Sequence, residues 1–155
     1  MKRSNLTLVA GICCGAMLGL GGYTFMEAEG LAYLSNDPEA CANCHVMRDH
    51  LASWQKSAHH TVATCNDCHT PHAPIPKLVA KAINGWNHSV RFTLQDYPEH
   101  IRITARNARN LEHNCIECHR PLVDGVFPAS ADAHSGRNAS DLHCVHCHAG
   151  VGHGP

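Results

Sequence analysis

The sequence predicts a mainly α protein with extensive loops, built as one N-terminal transmembrane helix and a compact domain whose interior is not made of ordinary side chains. Three observations predict it. Residues Leu6 to Met26 hold no charge, a Cys/His motif recurs four times after them, and large aromatic side chains are scarce. The chain has 155 residues with 10 Cys and 15 His, together as numerous as its 12 basic and 13 acidic residues. Only 3 Phe, 2 Trp and 3 Tyr are present, too few for a conventional core. Chains this poor in large apolar groups usually fold around disulfides, metals or cofactors. The net charge of -1 excludes the basic face of a nucleic-acid binder and the acidity of a disordered tail.

The first element is the apolar run. A helix over residues 6–26 is about 30 Å long, the thickness of a bilayer's hydrocarbon core. Lys2 and Arg3 precede it, and Glu27 and Glu29 follow. That asymmetry places residues 1–5 in the cytoplasm and residues 27–155 outside. A cleaved signal peptide would have a shorter apolar stretch and a small-x-small site after it. Gly22-Tyr23-Thr24-Phe25-Met26 has no such site, so the run reads as an uncleaved anchor. Cys13 and Cys14 fall inside it as small apolar filler.

The other eight cysteines form four C-x-x-C-H motifs. They are Cys41-Ala42-Asn43-Cys44-His45, Cys65-Asn66-Asp67-Cys68-His69, Cys115-Ile116-Glu117-Cys118-His119 and Cys144-Val145-His146-Cys147-His148. This is the attachment signature of c-type haem. Two thiols add across the porphyrin vinyl groups, and the adjacent His reaches the iron. A random order of the same composition gives about 0.06 copies. A zinc ribbon would give no reason for a His after every second Cys, and a disulfide framework would not repeat one gap four times. The reading is therefore four covalently bound haem c groups. Porphyrins wrapped by short helices and loops then form the core, and no period-two alternation argues for a sheet. Thioether attachment takes place outside the cytoplasm, where the anchor places the domain. The motifs start at 41, 65, 115 and 144. That spacing suggests two haem pairs, at 41–69 and 115–148, close enough for electrons to hop along the set.

A haem iron with two protein ligands transfers electrons, and one with an open position can do chemistry. His69, His119 and His148 are the proximal ligands of motifs two to four. Eleven histidines remain besides the four that end the motifs. His59, shortly before the second motif, and His153, five residues after the last motif histidine, are plausible distal ligands. In the first motif Met47 follows His45 by two residues. Met47 either ligates the iron in place of His45, raising its potential, or packs on the porphyrin.

Residues 77–95 carry Leu78, Val79, Ala82, Ile83, Trp86 and Val90 at helical spacing, flanked by Lys77, Lys81 and Arg91. A basic amphipathic helix with Trp suits a membrane interface, and it can also cover a haem edge.

These residues resemble the NapC/NirT family of membrane-anchored multihaem quinol dehydrogenases, and within it the small subunit that serves cytochrome c nitrite reductase. The likeness covers nearly the whole chain. It rests on the single N-terminal helix, the four motifs and Met47. Further matches are Trp54-Gln55-Lys56-Ser57-Ala58-His59-His60, Cys65-Asn66-Asp67-Cys68-His69-Thr70-Pro71-His72, Lys81-Ala82-Ile83-Asn84-Gly85 and Gly150-Val151-Gly152-His153. The resemblance implies a single-pass protein of the bacterial cytoplasmic membrane that oxidises menaquinol at its outer face. Electrons then pass through four haems to a periplasmic pentahaem nitrite reductase, which makes ammonium. It implies that Met47 ligates haem 1 in place of His45, that His59 and His153 cap two other haems, and that one haem takes a lysine from the catalytic partner. Lys81 corresponds to a lysine near the quinol site. His88 stands where some relatives carry an Asp beside haem 1, so it is the candidate proton acceptor.

Three alternatives have less support. Service to another periplasmic reductase, of nitrate or a similar acceptor, fits the same relay. A self-sufficient reductase would need an open iron lined by polar groups, and the sequence has no fifth motif and no C-x-x-C-K variant. A free tetrahaem carrier does not need an anchor.

Overall fold

The computed structural model describes residues 2–126 and 143–153, and they fall into two compact units, 1–32 and 33–155. The fold class is as expected: helices joined by loops, with no strand among the described residues.

The first unit is dominated by α1, Lys2–Glu27, longer at its start than the uncharged run. Its segment Asn5–Glu27 is long and apolar enough to cross a membrane, and every described side chain on it is exposed. An apolar helix with all faces exposed is unfavourable in water and suited to lipid. The helix stops at Glu29, a non-glycine residue in the left-handed region at φ 50°.

The second unit holds short helices and two long ones. They are α2 (Pro38–Cys41), α3 (Arg48–Trp54), α4 (Cys65–His69), α5 (Pro74–Leu94), α6 (Ala105–Cys118), α7 (Arg120–Val126) and α8 (Cys144–Cys147). A 3₁₀ turn, His45–Met47, precedes α3. Local rules explain most boundaries. Asp37 caps α2 by accepting from the Glu39 N–H, and Pro38 supplies the first helical φ. Thr64 and Asp67 form a capping box on α4, the Thr64 N–H and hydroxyl donating to Asp67 Oδ2 at 2.8 and 2.7 Å. Burial opposes ionisation of Asp67, but those bonds outweigh it and hold the carboxyl below its ordinary range. Helix α5 ends where Gln95 turns left-handed at φ 54°.

The packing is unusual. Among the described residues the buried apolar ones are only Ala42 and Ala80, and the buried polar ones are Asn66, Thr70, Lys81 and Asn114. Polar side chains therefore tie the elements together. Asn66 Nδ2 donates to Ser35 O and Asn36 Oδ1, joining α4 to the segment before α2. Asn114 Nδ2 donates to the carbonyls of Asp67, Cys68 and Thr70 at 2.9, 3.0 and 2.8 Å, which seats α6 on α4. Glu112 Oε2 accepts from the Cys144 N–H at 2.9 Å, so α6 also holds the start of α8.

Candidate haem sites

Each motif places its two cysteines on one turn, where both thiols can reach the edge of the same porphyrin. Consecutive motifs touch through these thiols. Cys41 lies beside Cys65, Cys68 beside Cys115, and Cys115 beside Cys144. The long gap between motifs two and three is spanned by two helices. The chain leaves along α5 and returns along α6, where Asn114, next to Cys115, grips the end of α4. The attachment points run in the order one, two, three, four without a break.

The expected iron ligands fall into two groups. His69 and His153 have ring centroids 5.9 Å apart with planes 14° from parallel. His59 and His119 are also 5.9 Å apart, with planes at 76°. Imidazole nitrogens about 2.0 Å from a metal on either side of a porphyrin put the two centroids about 6 Å apart. The separation of both pairs has room for a haem held between them. Burial, followed by the nearby His153 and His50, drives the His69 pKa down to about 4 and keeps the ring neutral, as a ligand must be. His50 packs edge-on against His153 at 4.8 Å.

The outer motifs differ. Among the described residues no second histidine ring faces His45 or His148. His45 is exposed and Met47 half-buried, and they leave their 3₁₀ turn in different directions. His148 follows α8 and is exposed. His134, one of the histidines outside the motifs, lies outside the described residues.

Around the first motif the structure gathers Tyr33, Lys81 and His88. Lys81 is buried, with Nζ donating to Ser35 O at 2.6 Å, Asn36 Oδ1 at 3.1 Å and Leu34 O at 3.4 Å. Burial and then Lys77 lower its pKa. Together with Leu34, Asn36, Pro74, Lys77 and Leu78 it lines an open cleft of about 260 Å³. His88, two turns further along α5, is not among the lining residues. Its Nδ1 lies 3.0 Å from Tyr33 Oη, and burial of the ring lowers its pKa. Burial, then Cys44 and Cys41, raises that of Tyr33. A Cβ on Gly85 would sit 3.4 Å from the Tyr33 ring, so the glycine lets the phenol lie against α5. Sequence reasoning did not single out Tyr33, because nothing local links it to a helix fifty residues away. The stripe expected to be amphipathic leaves Leu78, Val79, Ala82 and Trp86 exposed, with Ile83 and Val90 half-buried.

The NapC/NirT cytochrome c family, N-terminal region, matches residues 1–155. The chain belongs to this family. As a NapC/NirT cytochrome it is a c-type, multihaem electron-transfer protein with covalently bound haem. It is 38% identical over 159 residues to cytochrome c-type protein NrfH of Wolinella succinogenes, covering 99% of this chain and 90% of that protein. It is 31% identical to cytochrome c nitrite reductase subunit NrfH of Nitratidesulfovibrio vulgaris, covering 97% and 85%. Its fold is shared with a chain in the crystal structure of the cytochrome c nitrite reductase NrfHA complex bound to the HQNO inhibitor. The TM-score is 0.62 at 24% identity, over 95% of this chain and 90% of that one.

Proposed function

We propose that this NapC/NirT cytochrome is the menaquinol-oxidising electron donor of a periplasmic pentahaem nitrite reductase, anchored in the bacterial inner membrane by α1 with its N-terminus in the cytoplasm. The observation that carries the reading is the asymmetry of the motif chain. The two inner motif histidines each face a second histidine at 5.9 Å, and among the described residues the two outer ones show no such partner. Inner sites closed on both sides suit transfer alone, and outer sites that differ suit an input and an output.

In this reading the eight motif cysteines hold four haems. His69 and His153 ligate the second, and His119 and His59 the third. Met47, rather than His45, ligates the first. His148 would hold the fourth, and a lysine of the partner would complete one of the set. Haem c, when bound, supplies the one-electron chemistry that carries the electrons of a quinol from the first motif to the fourth.

Oxidising a quinol also releases two protons, so a base is needed beside the first motif. His88 fills that role. Its depressed pKa keeps the ring neutral, and in the tautomer with the hydrogen on Nδ1 that N–H donates to Tyr33 Oη and leaves the Nε2 lone pair to accept. Lys81 holds the 34–36 segment that walls the adjacent cleft, which together with Lys77 gives the quinol side a positive rim.

The test uses the anchored holoprotein in detergent with a menaquinol analogue and nitrite. The expected result is reduction of the haems with no nitrite consumed until the pentahaem subunit is added. Steady ammonium formation by this chain alone would overturn the reading.

A further inference from the structure

Val151 sits at a junction that the motif pattern does not reveal. Its N–H donates to the carbonyl of His148, the last motif histidine, at 3.3 Å. Its carbonyl lies 3.0 Å from Nδ1 of His59, ninety-two residues away. Two residues further on, His153 presents its ring to His69. A carbonyl can only accept, so Nδ1 of His59 must carry the proton. The lone pair is thereby fixed on Nε2, the nitrogen left for His119's side of the pair.

We infer that the hook Gly150–His153 is a positioning element that couples the distal ligation of two haems: its Val151 carbonyl sets the tautomer and aim of His59 while its His153 caps the iron of His69. This rests on the ligand pairs of the proposed function. Three separate observations support it. Val151, Gly152, His153 and His59 are all half-buried, so the hook lies against the domain. The hook's only side chain that can ligate is buttressed by His50 at 4.8 Å. The Ser57 hydroxyl accepts from the His59 N–H at 3.3 Å, which holds the His59 backbone but leaves the ring to be aimed by Val151 alone of the bonds described. An outer hydrogen bond of this kind orients a metal-binding histidine and raises its basicity, and its loss weakens ligation about 10- to 100-fold.

The coupling can be counted in the full-length holoprotein as the number of ferrous haems that bind carbon monoxide, relative to the unaltered protein. His153→Ala removes one ligand and adds one CO-binding haem. Insertion of two glycines between Gly150 and Val151 keeps every residue but moves the hook out of register, and it adds two. If His153→Ala adds one and the insertion adds none or one, the coupling is wrong and the ligand pairs stand. If His153→Ala adds none, the pairing with His69 fails and the coupling fails with it. Should the insertion not mature, His59→Met decides. It leaves the third haem a ligand but offers Val151 no N–H, so the ferric EPR signal of the His69–His153 site must shift or broaden. The two sites are separable because near-parallel and near-perpendicular imidazole planes orient the iron d orbitals differently. An unchanged His69–His153 signal overturns the proposal.

Discussion

At the residue scale the proposed quinol chemistry turns on one contact, Tyr33 Oη to His88 Nδ1 at 3.0 Å. An imidazole that accepts a quinol proton on Nε2 must carry its hydrogen on Nδ1, where it donates to an acceptor within reach. Tyr33 is that acceptor. Tyr33→Phe keeps the ring that lies against Gly85 and removes only the oxygen. Quinol oxidation by the variant is expected to fall about 2- to 10-fold, the kinetic equivalent of one hydrogen bond of about 0.5–1.5 kcal/mol. The direction of the pH effect also follows. Activity needs neutral His88, so it declines as pH drops through a pKa that burial already holds below the usual 6.5. The imidazolium donates from Nδ1 more strongly than the neutral ring does, so Tyr33 favours the charged form, and its loss lowers the pKa further. The acidic limb of kcat/KM should therefore move to lower pH, read by stopped flow with a menaquinol analogue. A profile identical to that of the unaltered protein would remove Tyr33 from the proton path. His88 was visible in the sequence because it replaces an expected acid, whereas Tyr33 became visible only once its ring was seen against Gly85 of α5.

At the element scale α6 organises the domain. It carries the third motif at its end, grips α4 through Asn114 and holds α8 through Glu112. Asn114 is 3% exposed and serves three carbonyls with one amide nitrogen. Asn114→Leu keeps its branching but leaves those carbonyls without this donor, and each buried unsatisfied group costs about 1–3 kcal/mol. Some of that is recovered because the orphaned Asn114 Oδ1 also disappears. A net loss of about 3 kcal/mol is expected as a lower midpoint in guanidinium unfolding followed at the Soret band. An unchanged midpoint would mean that the α4–α6 contact is held by something else. The motifs, the anchor and α5 could be read from sequence because each depends on spacing along the chain. The closeness of motifs two and three could not. It depends on Asn114, an ordinary residue in a helical stretch, whose importance comes from carbonyls forty-odd residues earlier. The same reason kept the pairing of His59 with His119 out of reach, since distal ligands obey no fixed spacing.

At the scale of the whole molecule the opening scarcity of large apolar residues becomes an argument about folding order. Burying a large apolar side chain contributes about 1.5–3 kcal/mol, while ordering one residue's backbone costs about 1–2 kcal/mol. With Ala42 and Ala80 as the buried apolar residues described, the polypeptide cannot offset that cost by itself. The apolar faces of the bound haems must supply the difference, so attachment and folding are coupled. The motifs are not equivalent in this respect. Loss of the first leaves the α4–α6–α8 connections intact. Loss of the third removes the group against which α6 is seated, and with it the element that positions motifs two and four. Cys41→Ala/Cys44→Ala should therefore retain three covalent haems per chain. Cys115→Ala/Cys118→Ala should retain fewer than three, because neighbouring motifs are no longer presented to the attachment machinery in a folded context. Pyridine haemochrome content per chain, measured on protein matured in the same host, separates the two. Equal retention of three haems by both variants would show that each motif is filled independently and that α6 is not the organising helix.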